Sequence, residues 1–377
     1  MQVSVWEKES FYAPKDIIIV GSGLVGLWSA WYLKKNNPKL QIAIVDRGII
    51  PTGASTRNAG FACFGSVTEL VHDLTTDGEA DMLQLLEMRY KGLQRIRKVF
   101  KESEIDFDMC GGYEMFSHHD HRQKKELKHH IDQLNTLLRD ITGKKKTFRF
   151  ADEKIQSLGL HNVVHLIENK LEGYLHSGKL CQALMLAVQS MGVTILTNID
   201  ITGFEKVNGH IALSSNPHLP LRAEQVLICT NAFAQQLLSN VHVIPARGQV
   251  LVTSPIEGLQ LKGTFHYDAG FYYFRNLGNR VLLGGARNKA FEEETTTNMT
   301  ITDTIQKELE QFLAQYILPG KQYTITDRWS GIMGMGNEKM PVVKEVEPQI
   351  FCAVRMSGMG VALAPVIGEK IADMMTV

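Results

Sequence analysis

The stretch IIIVGSGLVGLWSAWYL, residues 17–33, is the most apolar part of the chain, and its parsing decides the fold class. Seventeen residues without a charge reach the short limit for a membrane helix, about 17 residues. Three glycines at 21, 23 and 26 argue against that, as do Lys15 and Asp16 before the run and Lys34 and Lys35 after it. The run divides better into a short β-branched strand over 17–20 and a helix from 24 to about 35, joined by a glycine turn.

That order is GxGxxG between a strand and a helix. Gly21 permits the tight turn, and Gly23 lets backbone N–H groups approach a pyrophosphate. Gly26 lets the helix pack close to the strand, so Ser22 and Val25 join the glycines as candidate phosphate-binding residues. Asn36, Asn37 and Pro38 end the helix, and IAIVD over 42–46 reads as a second strand. It finishes on Asp46, twenty residues after Gly26, where a carboxylate accepts from a ribose hydroxyl, with Arg47 beside it. The whole unit implies dinucleotide binding and leaves FAD and NAD both open. The next segment, RGIIPTGASTRNAGFACFGS, starts no new βαβ unit. Its Ser55, Thr56, Arg57, Asn58, Gly60 and Phe61 form a loop that could reach a second phosphate or a ring system across the domain.

Lys plus Arg (40) balances Asp plus Glu (40) over 377 residues, which disfavours a nucleic-acid partner. The basic stretches HHDHRQKKELKHH and GKKK carry no interleaved aromatics and read as a solvated helix and turn. Five scattered cysteines show no CxxC spacing, so neither a metal knuckle nor a disulfide framework is expected, and no histidine pattern suggests a metal site. The amino-terminal MQVSVWEKESFYAPK lacks an apolar signal core, which makes cytoplasmic the expected location.

With GSGLVGLWSA, GASTRNAGF, LICTNAFAQQL, WSGIMGMGNEKMP and MSGMGVALAPVIGEKIA in this order, the chain resembles the D-amino-acid oxidase superfamily of FAD-dependent oxidoreductases. That group includes glycine oxidase, sarcosine oxidase and γ-glutamylputrescine oxidase, the last being the nearest in its loop motifs. The resemblance runs from about Ser10 to Met375 and is weak between Asp73 and Phe148. It implies an α/β fold: a Rossmann-like FAD-binding domain with an inserted α+β substrate domain on a mostly antiparallel sheet. The expected pieces are 1–80, 150–240 and 326–377 for FAD, and 81–149 with 241–325 for substrate.

The same resemblance places Thr230, Asn231 and Ala232 near the nucleotide. It places Gly331 and the run Ser357, Gly358, Met359, Gly360 and Val361 against the flavin. Glycines there bring backbone close to a flat ring, and the helix start that follows can stabilise negative charge on a reduced flavin. The reaction implied is oxidation of a C–N bond by hydride transfer to flavin, giving an imine that hydrolyses, with oxygen or another acceptor taking the electrons. Candidate substrate-side residues are Tyr272, Tyr273 and Arg275 of GFYYFRN, with Tyr272 and Tyr273 on opposite faces of a strand. The inward face is left open, with glycine oxidase favouring Tyr272. His176 and Arg247 complete the set, His176 also reading as a helix-flanking residue.

Departures from the family bear on the substrate. Positions that hold an α-carboxylate in relatives are Met333, Gly358 and Ala362 here, which turns expectation toward an amine or a larger substrate held elsewhere. Arg247 and Arg275 remain as possible carboxylate partners. The tethering cysteine of sarcosine oxidases is Gly331, so FAD is expected to be non-covalent. Three alternatives stand beside this reading: a dehydrogenase that reduces a quinone or carrier, a non-catalytic FAD-binding protein, and a tRNA-modifying flavoprotein, the last opposed by the neutral charge.

Overall fold

The computed structural model describes residues 2–120 and 122–375; Met1, His121 of the HHDH stretch and the last two residues of the carboxy-terminal piece fall outside it. The strand expected at 17–20 spans Lys15–Val20 and is the centre of an eight-stranded sheet. Ile42–Val45 and Leu221–Ile228 flank it in parallel, followed outward by Thr194–Leu196 and Ile350–Val354, again parallel. Ile17, Ile19, Ile42, Ile44 and Leu227 are buried, as continuous β-branched runs covered on both faces must be. The edge strand Val342–Glu347 is antiparallel and carries charges, which blunts it against further pairing. A hairpin of Asp200–Val207 and His210–Asn216 closes onto Leu221–Ile228 and covers one face.

Helices Leu24–Asn36, Glu79–Val99, Ser177–Ser190 and Gly360–Met375 cover the other face around Trp28, Leu33, Leu184 and Leu363. Small residues set how close they come. A methyl group built at Gly92 would lie 1.7 Å from the Ala362 carbonyl oxygen, so the long helix crosses the carboxy-terminal one at backbone contact.

The second eight-stranded sheet runs in the order Ile325–Met335, Ile244–Thr253, Arg280–Gly285, Tyr272–Leu277, Thr264–Tyr267, Gly112–Ser117, Val163–Asn169, Phe148–Phe150. All its pairings are antiparallel except that of Thr264–Tyr267 with Gly112–Ser117. One face packs on helix Asp303–Phe312 and the turn after it, around Leu251, Phe265, Phe274 and Leu309. On the other face Val250, Val252 and Leu282 pack with Ala59, with Phe61, Tyr273 and Trp329 against them.

Two strands differ from the expected division of the chain. Val163–Asn169, assigned to the nucleotide domain, pairs with Gly112–Ser117 in the second sheet. Ile325–Met335, assigned mostly to the last nucleotide piece, pairs along its length with Ile244–Thr253. A strand's own alternation fixes its faces but not its partner, which here lies far away in sequence.

Candidate functional site

The register of the parallel sheet brings Val20, Val45 and Ile228 level with one another, so the chain leaves four neighbouring strands along one carboxyl edge. That edge is where open α/β sheets take ligands. Gly21 turns at φ +109°, and its amide donates to Val45 O at 2.8 Å. A methyl group at Gly26 would lie 2.0 Å from the Gly21 carbonyl oxygen, which excludes any side chain there. The following helix starts at Gly23, which offers no side-chain cap, and the Leu24 amide is met by Ser55 Oγ at 2.9 Å. Val25, one residue on, is buried at the helix start.

Asp46 stands beside this turn. Its Oδ2 accepts from the Ser22 amide and hydroxyl, each at 2.7 Å, and Oδ1 accepts from the Gly48 amide at 2.8 Å. A carboxylate offers roughly four acceptor positions, so one remains for a ribose hydroxyl. The Arg47 guanidinium lies over the Phe233 ring at 3.9 Å on the exposed side of the same edge.

Two buried hydroxyls on adjacent strand exits, Thr230 Oγ1 and Ser357 Oγ, have no hydrogen-bond partner among the described residues. Orphaned polar atoms of this kind mark a missing polar ligand. Asn231, at φ +47°, accepts the Arg355 and Met356 amides on Oδ1 at 3.1 and 3.3 Å. Its side chain thus pins the loop before the carboxy-terminal helix instead of reaching outward, with Ala232 buried behind it. In that loop Ser357 and Gly358 both have positive φ, Met359 follows, and the helix opens at Gly360 and Val361. The glycine turn, the free acceptor of Asp46 and the two orphaned hydroxyls fit FAD laid along this edge.

The loop over 53–61 is held by bonds of its own and by bonds to the second sheet. Arg57 Nε and NH1 donate to the carbonyls of Thr52 and Ser330 at 2.8 and 3.0 Å, and Trp329 Nε1 donates to Arg57 O at 3.0 Å. A methyl group at Gly331 would lie 2.9 Å from Arg57 Cβ, so Arg57 and Gly331 lock the loop to the second sheet. Asn58 is consumed internally by Ala54 O, Ser55 O, the Gly60 amide and the Ser177 hydroxyl. Thr56 Oγ1 donates to Pro51 O. Gly60 faces the Leu175 carbonyl, Ser55 Oγ is spent on the Leu24 amide, and Phe61 packs on Tyr273 and His266.

On the second sheet the inward face is the one that carries Tyr273. Its ring meets Phe61 edge-on with centroids 5.9 Å apart, and Phe61 meets His266 in the same way at 5.2 Å. A methyl group at Gly248 would lie 3.6 Å from the Tyr273 hydroxyl and 3.3 Å from Met333 Cε; one at Gly358 would lie 3.5 Å from Met333 Sδ. Tyr273 and Met333 therefore stand near each other, with Met333 against the Gly358 backbone in the loop that follows strand Ile350–Val354. Burial pushes the Tyr273 phenol up to about 12, against a lowering by Arg287.

Four sequence-derived candidates fall elsewhere. Tyr272, which resemblance favoured, turns outward: it stacks on Phe312 at 4.6 Å and donates to Glu308 at 2.6 Å. Arg275 shares the Tyr273 face, yet its nitrogens donate to the carbonyls of Ala59, Asn276 and Leu175 at 2.7, 3.1 and 3.4 Å. Arg247 is paired twice with buried Glu294, at 3.0 and 2.7 Å. Neither arginine is free for a substrate carboxylate. His176 is exposed and caps helix Ser177–Ser190, accepting the Lys179 amide at 3.3 Å, so its helix-flanking reading is the one the geometry matches.

One cluster was not anticipated. Arg89 pairs with Glu69 at 2.8 Å and Lys339 with Asp73, beside Cys63, His266 and Glu172. Burial raises Glu69, but Arg89 and Lys339 outweigh it and hold the carboxyl at about 2. Burial pushes His266 down to about 4 and Glu172 up to about 7. The visible sequence signal was Glu114, a charge inside the wholly buried strand Gly112–Ser117, where it accepts from the Ser66 hydroxyl. Among the described residues no group of acids, histidines and cysteines could hold a metal ion. A surface concavity of about 730 Å³ beside Ser254, Leu318 and Tyr323 includes none of Tyr273, Met333 and Gly358.

Solved structures share this fold. The chain resembles the probable oxidoreductase OrdL of Rhizobium meliloti (strain 1021), 22% identical over 373 residues, covering 95% of this chain and 82% of the relative. Glycine oxidase from Geobacillus kaustophilus superposes with a TM-score of 0.78 at 19% identity, over 96% of this chain and 95% of that one. L-proline dehydrogenase from P. horikoshii gives 0.77 at 18% identity, over 96% and 93%. The family model for FAD dependent oxidoreductases (DAO) matches residues 16–374. With a nucleotide edge that fits the cofactor and a family match over nearly its whole length, the chain belongs to the DAO family of FAD-dependent oxidoreductases.

Proposed function

We propose that the protein oxidises the C–N bond of an amine or amino acid in the cleft between Gly358 and Tyr273. The observation that carries this is the run of neighbours from Phe61 through Tyr273 to Met333, which meets the loop that opens the carboxy-terminal helix. Bound FAD would supply the acceptor for the hydride leaving the carbon beside nitrogen. The chain's contribution begins with the amine's charge, since an ammonium has no lone pair to assist hydride loss. An alkylamine of pKa ~10 costs about 4 kcal/mol to deprotonate at neutral pH, and an aromatic, thioether-lined cleft lowers that cost by disfavouring the cation. Tyr273 and Phe61 also exclude water from the reacting carbon, and the imine hydrolyses once solvent returns. Structural neighbours named as oxidase and dehydrogenase of amino acids support the reading.

FAD is held without a covalent bond. Gly331 stands where a tether would be, and burial pushes the thiols of Cys63 and Cys181 up to about 12. The parallel-sheet pieces form the FAD unit and the second sheet the substrate unit, with oxygen or another acceptor reoxidising the flavin.

The test is anaerobic mixing of the yellow protein with γ-glutamylated diamines, N-methyl amino acids, glycine and D-amino acids. Bleaching of the flavin, with a carbonyl product and released amine or ammonia in equal amounts, is the expected result. Retention of full flavin colour across the panel, with reduction only by dithionite, would leave a non-catalytic flavoprotein.

A further inference from the structure

Two buried side-chain nitrogens away from the nucleotide edge, Asn169 Nδ2 and His266 Nε2, have no hydrogen-bond partner among the described residues. Asn169 is 3% exposed and His266 8%. Both residues line one small cavity with about 10 Å³ of room, the space that a single water needs. Glu114 and Glu172 line it with them. Glu172 spends Oε1 on the Phe64 and Gly65 amides, at 2.8 and 3.2 Å. Its Oε2, which a methyl group at Gly112 would meet at 2.2 Å, makes no hydrogen bond among the described residues. Glu114 Oε1 accepts from the Ser66 and Thr68 hydroxyls, whereas Oε2 accepts only from the Thr68 amide, at 3.2 Å, and keeps a lone pair.

We propose that this cavity is a binding site for one water molecule, through which Glu172 and His266 share a proton. Every unspent group then has a partner. The Glu172 Oε2 hydroxyl and Asn169 Nδ2 donate to the water oxygen, and its two hydrogens go to His266 Nε2 and Glu114 Oε2. A cation is opposed by the Asn169 amide nitrogen, which only donates, and an anion by the two carboxyl groups. The protonation states match. Burial pushes Glu172 up to about 7, Glu69 adding to it while Arg89 and the two amides oppose. Burial pushes His266 down to about 4, against Glu69 and with Arg89, so its ring is neutral at pH 7 and offers an acceptor nitrogen. Cys63, the other ionisable group that senses Glu172, is held protonated by burial. When Glu172 yields its proton to the water, the water passes one to His266 Nε2, leaving a carboxylate and an imidazolium with no atom gained or lost. His266 lies opposite Tyr273 on one neighbouring strand and Glu114 on the other, so the three share a face of the second sheet. The relay therefore ends one strand from Tyr273.

The experiment has two arms, both on FAD-loaded protein without substrate, so the fate of the oxidation reading does not decide it. The first is a crystal structure fine enough to show ordered water. It should hold one density peak in the cavity, about 2.7–3.2 Å from Asn169 Nδ2 and His266 Nε2. The second is a pH titration of protein labelled with 15N-histidine, the His266 signals being assigned by their loss in His266→Gln. In wild type those signals should shift with a midpoint near pH 7, the Glu172 value, besides their own step near pH 4. Glu172→Gln keeps an acceptor for the Phe64 and Gly65 amides and a donor for the water, so the density peak should stay while the step near pH 7 is lost. A dry cavity in wild type overturns the proposal. So does a His266 signal with no step near pH 7, or one whose step survives in Glu172→Gln.

Discussion

Tyr272 gives its hydroxyl to Glu308 and its ring to Phe312, whereas Tyr273, one residue on, faces Phe61 and Met333. Replacing each with phenylalanine should therefore separate stability from activity. Tyr272→Phe loses one hydrogen bond to a charged group, about 1–2 kcal/mol in urea unfolding, with kcat/KM kept. Tyr273→Phe should keep stability and lower kcat/KM; the opposite pattern would put the wrong tyrosine in the cleft. Arg247→Met leaves Glu294 buried and unpaired, so it should cost about 3–5 kcal/mol of unfolding free energy. His266 predicts a pH effect whose sign is set by burial. Its folded pKa of about 4 lies below the model-peptide value of 6.5, so the unfolded chain takes up the proton first. Its contribution is full above pH 6.5 and is lost as pH falls toward 4, up to about 3 kcal/mol. Glu172, raised to about 7, runs the other way over part of that window, since its proton favours the folded state as pH falls. The check is thus the difference between wild type and His266→Gln in urea unfolding. It should shrink as pH drops from 6.5 to 4 and stay flat above 7.

At the level of elements, two close approaches between backbones carry the nucleotide edge. Gly26→Ala puts a methyl group 2.0 Å from the Gly21 carbonyl, so helix Leu24–Asn36 must move off its strand and FAD affinity should collapse. Gly92→Ala acts at a distance: it pushes the long helix from Ala362, and the carboxy-terminal helix carries the Ser357–Gly360 loop at its start. Overpacking there should cost about 1–3 kcal/mol and weaken FAD retention on a desalting column, though Gly92 touches no ligand. These elements were legible from sequence because their signals are local. Within 30 residues, Ile17 to Asp46 carry the strand run, the glycine spacing, the helix stop and the acid. What was not legible depends on distant chain. The Tyr272 face follows from where helix Asp303–Phe312 lands, and the Arg247–Glu294 pair joins residues 47 apart. The partner of Ile325–Met335 is likewise a strand that no nearby residue specifies.

Among the described residues two eight-stranded sheets and a two-stranded one are tied together by Arg57 to Ser330, Trp329 to Arg57 and Arg275 to Ala59. No helix among the described residues is long and apolar enough to cross a membrane, so the opening apolar run is a strand and helix of the nucleotide edge. Arg275 spans both units with buried donors, and Arg275→Met should loosen the cleft as a unit, lowering the melting temperature and speeding FAD loss together. The account depends above all on one FAD lying along the carboxyl edge without a covalent bond. Its most direct test is the visible spectrum of the purified protein before and after acid precipitation. The account predicts a yellow protein that releases one FAD per chain into the supernatant and leaves a colourless pellet. A protein that is colourless as purified and takes up no added FAD would contradict it.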